Sequence, residues 1–146
     1  MERYAHSLGI RHVACGSCNA CEQEMNALES PQYDIAQEGW QLAASPRHAD
    51  VLTVTGPMTQ AMREGAAATA GAMAQPRVIV AVGDCAIGAG VWSGAPSAGP
   101  GAGVELHAQV EIPGCPPTPE AIKAGLRRAA ALLDGEGSNG ETRVLR

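Results

Sequence analysis

The chain has 146 residues, of which 45% are apolar and 17% charged, and a formal net charge of −5. That length supports one domain with its own hydrophobic core. Ten Lys and Arg against fifteen Asp and Glu argue against a nucleic-acid protein, and no apolar run reaches the ~18–20 residues of a membrane span. The opening MERYAHSLGIRH has neither the apolar core of a signal peptide nor a twin-arginine pair. The expectation is a soluble chain that is not exported by itself. Eighteen glycines and ten prolines demand much irregular backbone. A charged fraction below the roughly 25% of ordinary soluble domains points to a surface partly covered by partners.

Residues 10–14 form a short apolar-leaning run that fits a strand, and 22–28 a short helix ended by Ser30-Pro31. Residues 33–44 are ambiguous. DVLTVT at 50–55 reads as a buried strand stopped by Gly56-Pro57, and 58–74, Ala-rich and free of Pro, as a helix. RVIVAV at 77–82 is a second buried strand. A long loop follows over 83–103, then a third strand over 104–112. Thr118 caps a helix over 118–133 with Pro119 at its first position. Residues 134–146 read as a polar tail, which makes 1–133 the single domain. Continuous apolar strands alternating with helices predict a parallel sheet covered on both faces, an α/β fold with the flavodoxin-like order.

Five cysteines, an odd number in a chain without an export signal, favour metal or redox chemistry over disulfides. Cys15, Cys18 and Cys21 follow the first predicted strand, Cys85 follows RVIVAV, and Cys115 follows the third strand. All five therefore fall beyond carboxyl ends of strands, which share one edge in an open parallel sheet. Three readings compete: inert buried thiols, a structural zinc site, which prefers paired C-x-x-C knuckles, and an iron–sulfur cluster, whose four thiolates can be widely separated. The Gly and Pro neighbours and the Cys115-Pro116 pair favour the cluster. Spacing alone does not choose among Cys15, Cys18 and Cys21.

SCNACEQEM at 17–25, SPRHADVLTVTGPMT at 45–59, VIVAVGDCAIGAG at 78–90 and EIPGCPPTPEAI at 111–122 occur in that order. Together they resemble the small single-cluster subunit of membrane-bound energy-converting [NiFe] hydrogenases of the formate hydrogenlyase and hydrogenase-4 type. That family includes the 20-kDa subunit of complex I. The resemblance covers 10–133. It implies a flavodoxin-like domain holding one [4Fe-4S] cluster on Cys18, Cys21, Cys85 and Cys115, with Cys15 spare. It also implies electron relay between a [NiFe] large subunit and a ferredoxin-like iron–sulfur subunit. Integral membrane subunits would hold the complex on the cytoplasmic face of the membrane, and the chain would not be catalytic alone. Complex I subunits have two adjacent cysteines in the first motif; Cys18-x-x-Cys21 resembles the hydrogenase branch. The alternatives are a complex I-like subunit that passes electrons to quinone and a structural zinc-binding subunit.

Several residues beside the thiols have two readings each. Backbone N–H groups of 83–86 and 114–115 are expected to offset thiolate charge. Arg47 and His48 are candidate cations near the cluster or plain surface residues. Glu22 and Glu24 are proton relays or solvated first-turn carboxylates. Met58, Met62 and Met73 read as core or interface residues. The 83–103 loop lacks GK[ST] and the G-x-G-x-x-G spacing, which argues against nucleotide binding.

Overall fold

The computed structural model describes residues 3–135. Two segments that are apolar or Thr at every position, β3 (Val51–Thr55) and β4 (Val78–Val82), are buried along their whole length and lie side by side. Strand β1 (Leu8–Ala14) flanks β3, and β2 (Trp40–Leu42) pairs outside β1. On the far side β5 (Val110–Ile112) completes a five-stranded sheet of order β2-β1-β3-β4-β5, parallel throughout. This is the predicted α/β architecture with the flavodoxin-like order. The register places Ala14 beside Thr55, Val54 beside Ala81 and Val82 beside Ile112. The carboxyl ends of β1, β3, β4 and β5 therefore open onto one edge.

Successive side chains in a strand alternate between faces, and the core divides accordingly. On one face Leu8, Ile10, Val51, Val78, Val80, Val82, Val110 and Ile112 pack with helix α4 (Pro119–Gly135) through Ile122, Leu126, Ala129, Ala130 and Leu133. Those spacings of three and four give one helical stripe. On the other face Leu52, Val54, Ile79 and Ala81 meet Ala66, Ala70 and Met73, from and just after helix α2 (Gln60–Gly71). Met58 and Met73 are buried there and Met62 packs against them, so the methionines are core as expected. The Thr118 hydroxyl accepts from Ala121 N at 3.2 Å, as its capping role requires.

Four segments differ from expectation. The ambiguous 33–44 stretch contains a 3-10 turn, Ile35–Glu38, and then β2, anchored by buried Trp40, whose Nε1 donates to Ala5 O at 3.1 Å. Helix α2 starts at Gln60 because Met58 has φ 65° and the N–H groups of Met58 and Thr59 both bond Cys15 O. The strand expected over 104–112 is β5 alone. Residues 102–105 form a helical turn, α3 (Ala102–Glu105), and His107 turns the chain left-handed at φ 57°. The alternation of Val104, Leu106 and Ala108 imitated a strand. Helix α4 runs on to Gly135, and Asp134 Oδ1 accepts from Tyr4 N at 3.0 Å. The rest of the expected tail, 136–146, lies outside the described residues. Among the described residues no helix is long and apolar enough to cross a membrane.

Candidate functional site

Three loops meet at the open edge. The first leaves β1, passes Cys15 to Cys18, and enters the short helix α1 (Ala20–Asn26), which carries Cys21. The second leaves β4 at Gly83 and carries Cys85, and the third leaves β5 and carries Cys115. Cys18 and Cys115 are exposed, Cys21 and Cys85 half-buried, and Cys15 buried. Burial pushes the Cys21 thiol up to about 12, helped by the charge of Glu22 and then by Cys18, Cys85 and Cys115. Burial also raises Cys85, and Cys115, Cys18 and Asp84 add to the effect. Four thiols from three loops thus lie within one another's electrostatic reach. Cys15 lies apart from them. Its side chain packs in the α2-face core, and its thiol is raised to about 11 by burial, then by Glu105 and Glu22, with no thiol contributing. Cys15 and Cys21 thus pack on opposite faces of the sheet, and the chain between them turns left-handed at Gly16, φ 89°.

Two carboxylates fasten the loops. Asp84 N donates to Gly114 O at 2.8 Å, and Asp84 Oδ1 accepts from Gly114 N at 2.8 Å, which locks the Cys85 loop to the Cys115 loop. Glu22 is turned inward to Ser17, Thr55 and His12. Burial pushes its carboxyl up, but hydrogen bonds from Ser17, Thr55, its own backbone and His12 outweigh that and hold it below the usual carboxylate range. It is therefore not the solvated residue of its plainer reading.

The expected backbone donors are mostly committed elsewhere. Gly83 N bonds Ile112 O, Asp84 N bonds Gly114 O, Ala86 N bonds Gly83 O, and Gly114 N bonds Asp84. Gly83, Asp84 and Gly114 hold the loops together and Ala86 closes a turn, so for these four groups the expectation that they face the sulfurs is corrected. The Trp92 backbone N–H favours the Cys85 thiolate, against the larger effect of burial. Nothing in the loop's Gly/Ala/Ser composition singles it out. Arg47 and His48 are exposed in the 3-10 turn Pro46–His48, which feeds the amino end of β3. The thiols are beyond the carboxyl ends, so these two residues belong to the opposite edge.

The edge fits a thiolate-bound group. A Cβ on Gly83 would come within 2.6 Å of Cys21 Sγ, and one on Gly90 within 2.5 Å of Cys85 Sγ. The missing side chains leave the sulfurs their space. Among the described residues no three His, Cys, Asp or Glu side chains stand ready around a single metal ion. A four-iron cluster sets each thiolate on an iron of its own, so its ligands surround a volume and do not converge on a point.

The profile of the family described as NADH ubiquinone oxidoreductase, 20 Kd subunit, matches residues 18–129. The chain is 38% identical over 131 residues to the probable membrane-bound hydrogenase subunit mbhJ of Pyrococcus furiosus, covering 87% of this chain and 78% of that one. It is 35% identical over 134 residues to formate hydrogenlyase subunit 7 of Escherichia coli, covering 92% of this chain and 52%, about half, of that relative. Among solved structures it is similar to a chain of the membrane-bound sulfane sulfur reductase, an archaeal respiratory membrane complex. There the TM-score is 0.75 at 28% identity, over 92% of this chain and 75% of the other.

Proposed function

Because the chain belongs to the NADH ubiquinone oxidoreductase 20 Kd subunit family, whose members serve oxidoreductase complexes, we propose that it is the electron-transfer subunit of a membrane-associated hydrogenase-type complex, holding one [4Fe-4S] cluster on Cys18, Cys21, Cys85 and Cys115. The observation that carries this reading is the gathering of those four thiols, from three separate loops, at one sheet edge. A bound cluster supplies one-electron storage and release. The chain supplies its place and surroundings. The four thiols give up their protons on binding, and the raised Cys21 and Cys85 thiols make that release more costly at low pH. The Trp92 backbone N–H favours the Cys85 thiolate, and a donor near a ligand sulfur would stabilise the more negative, reduced state of a bound cluster.

Partners follow from what the edge leaves open. Cys18 and Cys115 are exposed, and Val91 and Trp92, on the loop that carries Cys85, are 81% and 51% exposed. Large apolar side chains in that position suit protein contacts. The reading assigns them to a [NiFe]-type large subunit and a ferredoxin-like iron–sulfur subunit, with integral membrane subunits holding the complex on the cytoplasmic face. Bond chemistry would lie in the large subunit.

Iron, sulfide and zinc analysis of anaerobically purified chain, with an EPR spectrum after dithionite reduction, tests this. About four irons and four sulfides per chain with a reduced-cluster signal are expected. One zinc and no signal would overturn it. A second reading, favoured by the family's own description, passes the electrons to quinone. Turnover of the assembled complex that is sensitive to quinone-site inhibitors would select it.

A further inference from the structure

A carboxylate in the first turn of a helix ordinarily faces water and the helix dipole. Glu22 faces the sheet instead, with its side chain 14% exposed. Ser17 Oγ donates to its Oε2 at 2.6 Å, Thr55 Oγ1 donates to its Oε1, and His12 Nε2 lies 3.2 Å from the same oxygen. Those partners stand on the first thiol loop, on β3 and on β1. Thr55 is fully buried, so its hydroxyl depends on this acceptor. Ser17 Oγ also accepts from Asn19 N at 3.3 Å, so the Ser17–Glu22 pair spans the turn that carries Cys18. At the start of α1, Asn19 is left-handed at φ 76° and makes no side-chain capping bond. The fixing of that turn therefore falls on Glu22.

We propose that Glu22 is the positioning residue of the thiol edge: its carboxylate ties the Cys18–Cys21 turn to β1 and β3, and the fixed negative charge it places beside Cys21 holds down the reduction potential of the bound cluster. The positional half rests on the chain alone, and the redox half rests on the cluster reading above. Added negative charge is disfavoured near an existing one. Glu22 directly follows Cys21 in the chain, and three donors from three elements hold its carboxylate in place.

Two measurements on the full-length chain separate the halves. In the cluster-free chain, amide hydrogen exchange over 16–21 is expected to quicken at least tenfold in Glu22→Ala and in Ser17→Ala, with β3 and β4 unchanged. Should Glu22→Ala not fold, Ser17→Ala alone reads the same turn. Unchanged exchange there overturns the positional role. In the anaerobically loaded chain, EPR-monitored redox titration of Glu22→Gln is expected to show the midpoint raised by about 59 mV, a tenfold change in the oxidised-to-reduced ratio for one electron. Ser17→Ala keeps the charge and Glu29→Gln removes an exposed one, and both are expected to leave the midpoint in place. A merely structural Glu22 would not produce that pattern. An unmoved midpoint in Glu22→Gln overturns the charge effect. A Glu22→Gln chain that loads no cluster although the wild type does, with the turn exchanging faster, supports the positional role. A wild-type chain that takes no iron overturns the cluster reading, and exchange then judges Glu22 by itself.

Discussion

Cys15 and Cys21 stand six residues apart in one C-x-x-C-x-x-C run, and burial raises both thiols, to about 11 and about 12. Their surroundings are nonetheless opposite. Cys15 is in the α2-face core with Leu52, Val54, Met58 and Ala66, and its backbone ties the first loop down through Thr55, Met58 and Thr59. Cys21 packs at the rim of the α4-face core, among three other thiols. The run is therefore two devices in sequence, a buried anchor and then a pair that faces the open edge. The chemistry available to each sulfur depends on the side of the sheet it is on, which spacing does not report.

The sharpest way to break this comparison is to remove each thiol in turn. Cys21→Ser is expected to cut bound iron from about four per chain to near zero, because a cluster needs four thiolates. Cys15→Ser is expected to keep the full iron content. Iron and sulfide analysis reads both. If Cys15→Ser loses the cluster and Cys21→Ser keeps it, the assignment of anchor and ligand is reversed.

Glycine substitutions give the next largest contrast. Gly83 has φ 92°, and a Cβ there would come within 2.6 Å of Cys21 Sγ. Gly83→Ala is expected to cost about 1–2 kcal/mol from the left-handed backbone alone, and to displace Cys21 as well. On the Cys15 side of the sheet, Gly65 in α2 has open space around its Cβ position, and Gly65→Ala is expected to stabilise by about 0.5–1 kcal/mol. Urea unfolding measures both. Equal effects at the two positions would mean that the thiol edge is no more crowded than a helix surface.

Much of this arrangement is legible in the sequence, for identifiable reasons. Strands β3 and β4 are unbroken apolar runs because both of their faces are covered, and such runs are hard to mistake. They fix the sheet, and cysteines that follow its strands, Cys85 after β4 among them, must lie at the edge whichever face they take. What the residues alone do not settle is the face, because the crossing between Cys15 and Cys21 is decided in three dimensions. Backbone donors are misread for a related reason. The N–H groups of Gly83, Asp84 and Gly114 go into holding two loops together, a tertiary demand with no local sign. Arg47 and His48 are close to the site only along the chain, since the turn that carries them leads into β3 from its amino end. The Glu22 network did leave a trace. Thr53 and Thr55 are polar at alternate positions in an otherwise apolar strand, so they share a face and require a polar partner there.

Accessibility sharpens the comparison with a smaller effect. In the cluster-free chain, iodoacetamide is expected to modify Cys18 and Cys115 first, because both are exposed. Cys85 should follow, and the half-buried Cys21 and buried Cys15, the thiols raised highest, to about 12 and about 11, should react last. Mass spectrometry of timed samples gives the order. Early modification of Cys15 would place it outside the core.

The smallest expected effect is a pH dependence confined to the Cys21 side. Burial lowers the His12 imidazole below its ordinary 6.5. The hydrogen bond and charge of Glu22 and a bond with Thr53 oppose this without overcoming it, and the charge of Arg11 adds to the lowering. In the unfolded chain His12 binds its proton at the ordinary value. Between that value and the lower folded one, the unfolded state holds a proton that the folded state does not. By linkage the resulting stability is present above about pH 6.5 and is lost as pH falls through the folded pKa. The urea midpoint of the wild-type chain should therefore drop on mild acidification by more than that of His12→Gln, which cannot titrate. Cys15→Ser, on the other face, should follow the wild-type slope. If His12→Gln shows the same slope as the wild type, His12 is not held neutral beside Glu22, and the network must be anchored by Ser17 and Thr55 alone.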